Sequence, residues 1–397
     1  MANSKQKIAA SLTIPADRDI LVCIFQRGAA DCLNAVVPYG DPDYYIQRGD
    51  HGPISSIAIP AQELIDLDGF FGLHPALTPL KSIYDDNKLA FVHATGIPHG
   101  SRSHFSAQGL VERGVTDKAG PVTGWLGRHI ANSTPASNSA FRIVSISGNV
   151  PVSLTGANDE PLAISNLSEF GFDKEIIDSG YPAVLANLFR SPVPFFAPAG
   201  AALSAIEELA AARLSAITPD NGALYPDSPL GNKLKQVAQL IKSTLPVEVV
   251  CLDSDDWDHH ERLPEFIQQS LDDLAQSLSA FYTDMGTNGM DRITVLVHTE
   301  FGRRVVQNAS QGTDHGTAGL AYLIGGGVNG GQVIGSGSNW PGLATEQLEN
   351  NEDLKITTDL RSVLSEMLVK RLGANVSDLD TVFPGFSGPN TVNLFLP

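Results

Sequence analysis

A chain of 397 residues with 42% apolar content is long enough for one large globular domain with insertions, or for two domains. Its formal charge of −18, from 44 acidic against 26 basic residues, disfavours nucleic acid and anionic membrane as partners, because both reward clustered Lys and Arg. No run of roughly 18 apolar residues is present to span a membrane, and an odd number of cysteines without a CxxC pair implies no disulfide framework. Residues 1–19 lack the apolar core of about 7–15 residues that marks a signal peptide. The expectation is a soluble protein, periplasmic or secreted if a leader has been removed and cytoplasmic otherwise.

Taken in chain order, short continuous apolar runs mark strands buried on both faces: "ILVCIF" (Ile20–Phe25), "LAFVHA" (Leu89–Ala94), "FRIVSIS" (Phe141–Ser147), "VEVVCLD" (Val247–Asp253), "ITVLVHT" (Ile293–Thr299) and "LAYLIGG" (Leu320–Gly326). Between them lie helical patterns, "PALTPLKSIYDD", "AGAALSAIEELAAARLSAI", "SPLGNKLKQVAQLIKSTL" and "LPEFIQQSLDDLAQSLSAFYTDM". In the last, apolar residues recur at helix spacing and Pro264 sits in the first turn, where its missing N–H costs little. Strands alternating with helices predict an α/β fold with a mainly parallel sheet covered on both faces. A single domain over residues 1–397 is expected, with the helix-rich stretch 155–245 as an insertion over the sheet edge.

In such sheets ligands bind beyond the carboxyl ends of the strands, so the residues after each run matter most. Asp31 and Asn34 follow the first run. His99, Ser101, Arg102, Ser103 and His104 follow the second, Asp256, Asp258, His259 and His260 the fourth, and Glu300 and Arg303 the fifth. Asp314-His315 comes just before the sixth, followed by Gly316, Thr317 and Ala318, whose small size leaves room for an ion and a substrate. Asp31, Asp258, His260, Glu300, Asp314 and His315 make a mixed oxygen and nitrogen donor set, suited to zinc, manganese or iron more than to calcium. Taken singly, each of these groups also fits a solvated acidic turn.

Ser103 opens a helical pattern. It has two readings: a plain N-cap, or a hydroxyl activated at the positive end of a helix dipole. Glu112 is too far along to complete a capping box with it. Arg102 beside it suits an anionic substrate oxygen. "CIFQR" (Cys23–Arg27) is not a modified-cysteine sulfatase signal, because Phe25 occupies the position that needs a small residue. His93, inside a strand, reads as a hydrogen-bonded core histidine, and Gly325–Gly331 as a turn between strands.

The segments "LVCIFQRGAADCLNAVVPYGDPDYY", "FFGLHPALTPL", "SRSHFSAQ", "GWLGR", "DWDHH", "EFGRR" and "TDHG" resemble, in order and separation, those of a bacterial family known as domain of unknown function 1501. The resemblance covers nearly the whole chain. That family looks like a branch of the alkaline phosphatase and sulfatase superfamily, which implies a three-layer α/β/α sandwich with a metal site at the strand ends. Carried over residue by residue, Asp31 resembles the first metal ligand and Ser103 the nucleophile. Asp258 with His260 resembles one metal position, and Asp314 with His315 the pair that completes the other. The superfamily spacing fits Asp256 with His260, whereas the family's Asp-Thr-His pattern selects Asp258. The family's usual Gly is Cys32 here. No histidine follows His315 to match the superfamily's last one, and Asp359 is expected to cap a helix.

The resemblance therefore implies a metal-dependent hydrolase of phosphate or sulfate esters that uses Ser103 or a metal-bound water. Arg102 and Arg303 would add positive charge, Glu300 would ligate metal or orient Arg303, and one or two divalent ions, zinc or manganese, would be the cofactor. The partner implied is a small anionic ester. The alternatives are a binding or scaffold protein that keeps the fold and part of the site, and a metal-dependent phosphomutase.

Overall fold

The structure, a computed structural model, describes residues 19–49, 55–134, 137, 139–158, 160–171, 179, 181, 184–185, 197–335, 337–389 and 391–396. Its strands are β1 (Ile20–Gln26), β2 (Val36–Val37), β3 (Ile65–Asp66), β4 (Gly72–Leu73), β5 (Leu89–Gly96), β6 (Ile143–Ser145), β7 (Leu162–Ala163), β8 (Val249–Ser254), β9 (Ile293–Thr299), β10 (Gly319–Gly325), β11 (Gln332–Ile334) and β12 (Thr358–Asp359). Among the described residues nine of these form the main sheet, in the order β11-β5-β10-β9-β1-β8-β6-β7, with β12 also pairing with β5. The remaining three make a small antiparallel sheet, β2-β4-β3.

Every residue of β1 is buried, and successive side chains enter different cores. Ile20, Val22 and Ile24 pack with Leu234 and Val237 of the helix Pro229–Lys242 and with Leu271 and Leu274 of the helical segment Leu263–Met290. Leu21, Cys23 and Phe25 pack on the other face with Leu126 and Ile130 of Trp125–Asn132 and with Val363 and Met367 of Leu360–Arg371. The two-residue period of a strand thus divides one apolar run between two helix layers. The fold is a mixed α/β architecture, a mainly parallel sheet with helices on both faces.

Local chemistry sets the ends of the elements. Ser228 caps the helix Pro229–Lys242 by accepting from the Gly231 amide, and Pro229 occupies the first turn. Asp359 caps Leu360–Arg371 through the Arg361 amide at 2.9 Å. The expected strand Phe141–Ser147 is shorter, because Ser139 caps a 3₁₀ turn at Ala140–Arg142 and extended pairing begins at Ile143. "PALTPLKSIYDD" begins as a 3₁₀ turn, Pro75–Leu80, before Lys81–Asp85 turns α-helical. Pro79 has no N–H to give an α-helical ladder there. The stretch 155–245 contains β7 at the sheet edge and the helices Ala197–Ala212 and Pro229–Lys242; residues 172–178 and 186–196 within it lie outside the described residues. Among the described residues no helix is long and apolar enough to cross a membrane.

One strand direction decides where the functional loops meet. β10 runs antiparallel to both β5 and β9. Its beginning therefore lies at the same edge of the sheet as the ends of β1, β5, β8 and β9, which are parallel to one another or separated by β10 alone. Asp314 and His315, which precede a strand, join residues that follow strands.

Candidate metal centre

Three segments bring His104, Asp258, His260 and His315 together. His104 is the first residue of the helix His104–Arg113, Asp258 and His260 follow β8, and His315 precedes β10. His104, Asp258 and His315 each place a ligand atom so that these atoms lie within 4.8 Å of one another. His315 Nε2 is 3.0 Å from His104 Nε2, 2.9 Å from His260 Nε2 and 3.2 Å from Asp258 Oδ1. His260 Nε2 is 3.0 Å from Asp258 Oδ1, and His104 Nε2 is 3.4 Å from Asp258 Oδ2.

The other ring nitrogen of each histidine has its own partner, and these partners fix the tautomers. His104 Nδ1 donates to Glu300 Oε1 at 2.8 Å. Burial opposes ionisation of Glu300, but hydrogen bonds from His104, Gln108 and Thr299 outweigh it and push its pKa down to about 2. An ionised carboxylate only accepts, so the proton sits on His104 Nδ1. His315 Nδ1 donates to the Arg102 carbonyl at 2.7 Å, an acceptor only. His260 Nδ1 faces Asp314 Oδ1 at 3.3 Å. Asp314 stays below the usual carboxylate range, because Asn308 and His260 outweigh its partial burial. Rings so oriented turn three Nε2 atoms toward one another and toward Asp258.

Ring nitrogens 2.9–3.0 Å apart are held together by a shared proton or by a cation among them. Zinc–nitrogen bonds of about 2.0–2.1 Å in a tetrahedron put ligand atoms roughly 3.3 Å apart, close to the separations observed. The donor set fits a divalent cation on chemistry and on spacing. Phe301, 2% exposed, backs it from below, with ring centroids 5.1 Å from both His104 and His315.

The remaining expected residues surround this cluster in other ways. Asp31 is 1% exposed and engaged on both oxygens. Oδ1 accepts from Arg48 at 2.8 Å and from the Asn34 amide at 3.0 Å, and Oδ2 from Thr313 at 3.1 Å. Although burial opposes it, Arg48 keeps Asp31 ionised. Asp31→Asn is expected to cost about 3–5 kcal/mol of stability by leaving the Arg48 charge buried without its partner, with metal content unchanged. Metal loss at unchanged stability, by titration and chemical denaturation, would instead make Asp31 a ligand.

Arg303 is 1% exposed and spends its guanidinium on the carbonyls of Gly28, Ala29, Trp257 and Thr313 and on Asp258. Burial opposes ionisation of Asp258, yet Arg303 with His260 and His315 holds its pKa down to about 2. The Arg102 guanidinium pairs with Asp353 and lies 3.6 Å from Glu352. Arg303 therefore reaches the cluster through Asp258, whereas the Arg102 guanidinium turns to Asp353 and Glu352. Glu300 also accepts from the Gly28 amide and Gln108, each at 3.0 Å, and acts as the anchor of His104. Ser103 is exposed, at the start of the helix, and its side chain makes no capping bond.

Two glycines are required by close approach. Gly28 has φ 118°, and a Cβ there would lie 2.6 Å from the Asp258 amide nitrogen. At Gly316 a Cβ would lie 2.4 Å from the Arg303 carbonyl carbon. The small residue after His315 thus serves the backbone bridge between His315 and Arg303 rather than room for an ion.

The two sequence registers for "DDWDHH", Asp256 or Asp258 with His260, separate here. Asp258 faces the histidines, whereas Asp256 is exposed in a left-handed conformation, φ 66°. Asp258→Asn is expected to weaken metal binding by roughly 10-fold or more, and Asp256→Asn to leave it unchanged. Equal affinity in the two variants by metal titration would contradict that assignment. The residue that the sequence reading passed over is His104. It stood among the polar residues after "LAFVHA", next to the Ser103 that drew attention as a nucleophile. With it the cluster has a third imidazole although no histidine follows His315.

Residues 199–373 match the family described as "Protein of unknown function (DUF1501)", which agrees with the resemblance of "DWDHH", "EFGRR" and "TDHG" within that span. None of the curated proteins matches the chain. Among solved structures, the C-terminal periplasmic domain of EcEptC from Escherichia coli, in complex with Zn, is similar at a TM-score of 0.41 and 9% identity, over 97% of this chain and 94% of that one. Another structure of the EcEptC domain gives a TM-score of 0.36 at 9% identity over the same shares. These values are too low to transfer a function.

Proposed function

We propose that the protein is a metal-dependent hydrolase of phosphate or sulfate esters. The observation that carries this reading is the convergence of three histidine Nε2 atoms on Asp258, each ring held by its own outer partner. Two outer carboxylates and a carbonyl on three histidines are the supports expected of a metal site, and they are more than a solvated turn needs. His104, Asp258, His260 and His315 would hold the cation, zinc or manganese, one ion or two. When bound, it polarises an ester oxygen and lowers the pKa of a nearby hydroxyl or water.

The chain's own residues do the rest. Glu300 and Asp314 keep His104 and His260 in the tautomer that presents Nε2, and the Arg102 carbonyl does so for His315. Arg303 keeps Asp258 ionised and fixed. Ser103 is the proposed nucleophile: its hydroxyl has no capping bond to hold it, and it stands at the positive end of the helix His104–Arg113. That end also favours the negative charge of an approaching phosphate or sulfate group.

The test is hydrolysis of an aryl phosphate, a phosphodiester and an aryl sulfate by the metal-loaded protein, with and without chelator. Turnover of at least one ester, abolished by chelation and restored by metal, is the expected result. Metal-loaded protein inactive on all three would favour the scaffold reading. Phosphate moved within a sugar without free phosphate would favour the mutase.

A further inference from the structure

A second group of reactive side chains lies in the core on the face of the sheet that Leu21 and Phe25 also line. Cys23 on β1 and Cys251 on β8 are register partners on adjacent parallel strands, with both side chains in that same core cluster. Neighbouring strands run about 4.8 Å apart, within the roughly 4.4–6.8 Å between Cα atoms that a disulfide accepts. On the other side of β1, His298 Nε2 lies 3.7 Å from Cys23 Sγ. The His298 ring is 3% exposed, and its Nδ1 has no partner among the described residues.

The setting is not that of inert core thiols. Cys23, Cys251 and His298 line a void of about 10 Å³, room for one molecule of water size. Its wall includes Arg27, which pairs with Glu112 at 2.8 Å and Asp253 at 2.9 Å. Arg27 and Asp253 are 18% and 30% exposed at their side chains, so the void approaches solvent along a polar side. The Cys251 thiol beside Cys23, against the effect of burial and with His298 adding to it, holds Cys23 toward the thiolate, while Cys251 is pushed up. The third cysteine is a contrast: Cys32 donates to the Ala318 carbonyl at 3.4 Å, and burial raises its thiol.

We propose that Cys23 and Cys251 form a peroxide-reactive dithiol that closes to a disulfide across β1 and β8. The co-reactant is hydrogen peroxide. The Cys23 thiolate attacks one peroxide oxygen, the O–O bond breaks, and the departing hydroxide takes up the proton that Cys23 released, becoming water and leaving a sulfenic acid. Cys251 sulfur then attacks Cys23 sulfur, the S–O bond breaks, and the Cys251 proton leaves with the hydroxyl as a second water. Two thiols lose two electrons and the peroxide gains them. This site is separate from the metal centre and does not rest on it.

The test exposes the folded full chain to hydrogen peroxide, blocks remaining thiols after denaturation, and maps peptides by mass. A Cys23–Cys251 linked peptide, reversible by dithiothreitol, is expected, with Cys23 losing its thiol at least about tenfold faster than Cys32. In Cys251→Ser the reaction should stop at a sulfenic acid on Cys23, trapped by dimedone. Cys23 and Cys32 oxidising at equal rates, or Cys23 passing to sulfinic acid in the wild type while Cys251 stays free, would overturn the proposal.

Discussion

Replacing His315 with alanine is expected to strip the protein of tightly held metal. His315 Nε2 is the atom common to the cluster, 3.0 Å from His104 Nε2, 2.9 Å from His260 Nε2 and 3.2 Å from Asp258. Its loss should cost more affinity than the roughly 10–100-fold that removal of an outer partner costs. Asp314→Ala supplies the comparison, because that carboxylate faces His260 Nδ1 and its loss should stay within that outer-partner range. The sequence pairs Asp314 and His315 as equal ligands; in the structure His315 Nε2 joins the cluster, whereas Asp314 Oδ1 faces His260 Nδ1 from outside it. Metal titration with circular dichroism as a folding check decides between them. An unchanged affinity in folded His315→Ala would remove that residue from the site.

Ser103→Ala is expected to leave fold and metal content intact and to lower turnover by several orders of magnitude. Alanine keeps the start of the helix His104–Arg113 but removes the oxygen proposed to form the covalent intermediate. A plain N-cap would instead cost about 0.5–2 kcal/mol of stability and leave chemistry untouched. The absence of a capping bond from the Ser103 side chain makes that second outcome unexpected, and the melting temperature should hold within experimental scatter. Full activity in Ser103→Ala would leave water as the nucleophile and end the covalent route.

Six strands were legible because each is a short apolar run buried between helix layers, and Ile293–Thr299 coincides with its predicted bounds; β2, β3, β4, β7, β11 and β12, two or three residues each, were not. Asp258, His260 and His315 were legible as Asp and His at strand ends. What remained hidden depends on pairing distant in sequence or on strand direction. Nothing in "LAYLIGG" says that β10 runs against its neighbours, yet that direction brings His315 to the site. The partnership of Asp31 with Arg48 crosses 17 residues and is settled only by packing, so the aspartate after β1 read as a free carboxylate. Glu300 read as a ligand or a partner of Arg303, whereas its oxygen meets His104, almost two hundred residues earlier. His104 itself carried the signal of every other candidate, an imidazole just after a strand. A helix-opening serine beside it looked the better chemistry.

On the reading proposed above, His104, Asp258, His260 and His315 surround a divalent cation. Elemental analysis tests it most directly, on full-length protein dialysed against zinc or manganese and then passed through a desalting column, beside a His104→Ala/His315→Ala double variant. At least about one equivalent of metal should remain on the wild-type chain and almost none on the folded variant, as loss of two ligating nitrogens requires. A folded wild-type chain that keeps no metal, or a double variant that keeps as much as the wild type, would contradict the claim.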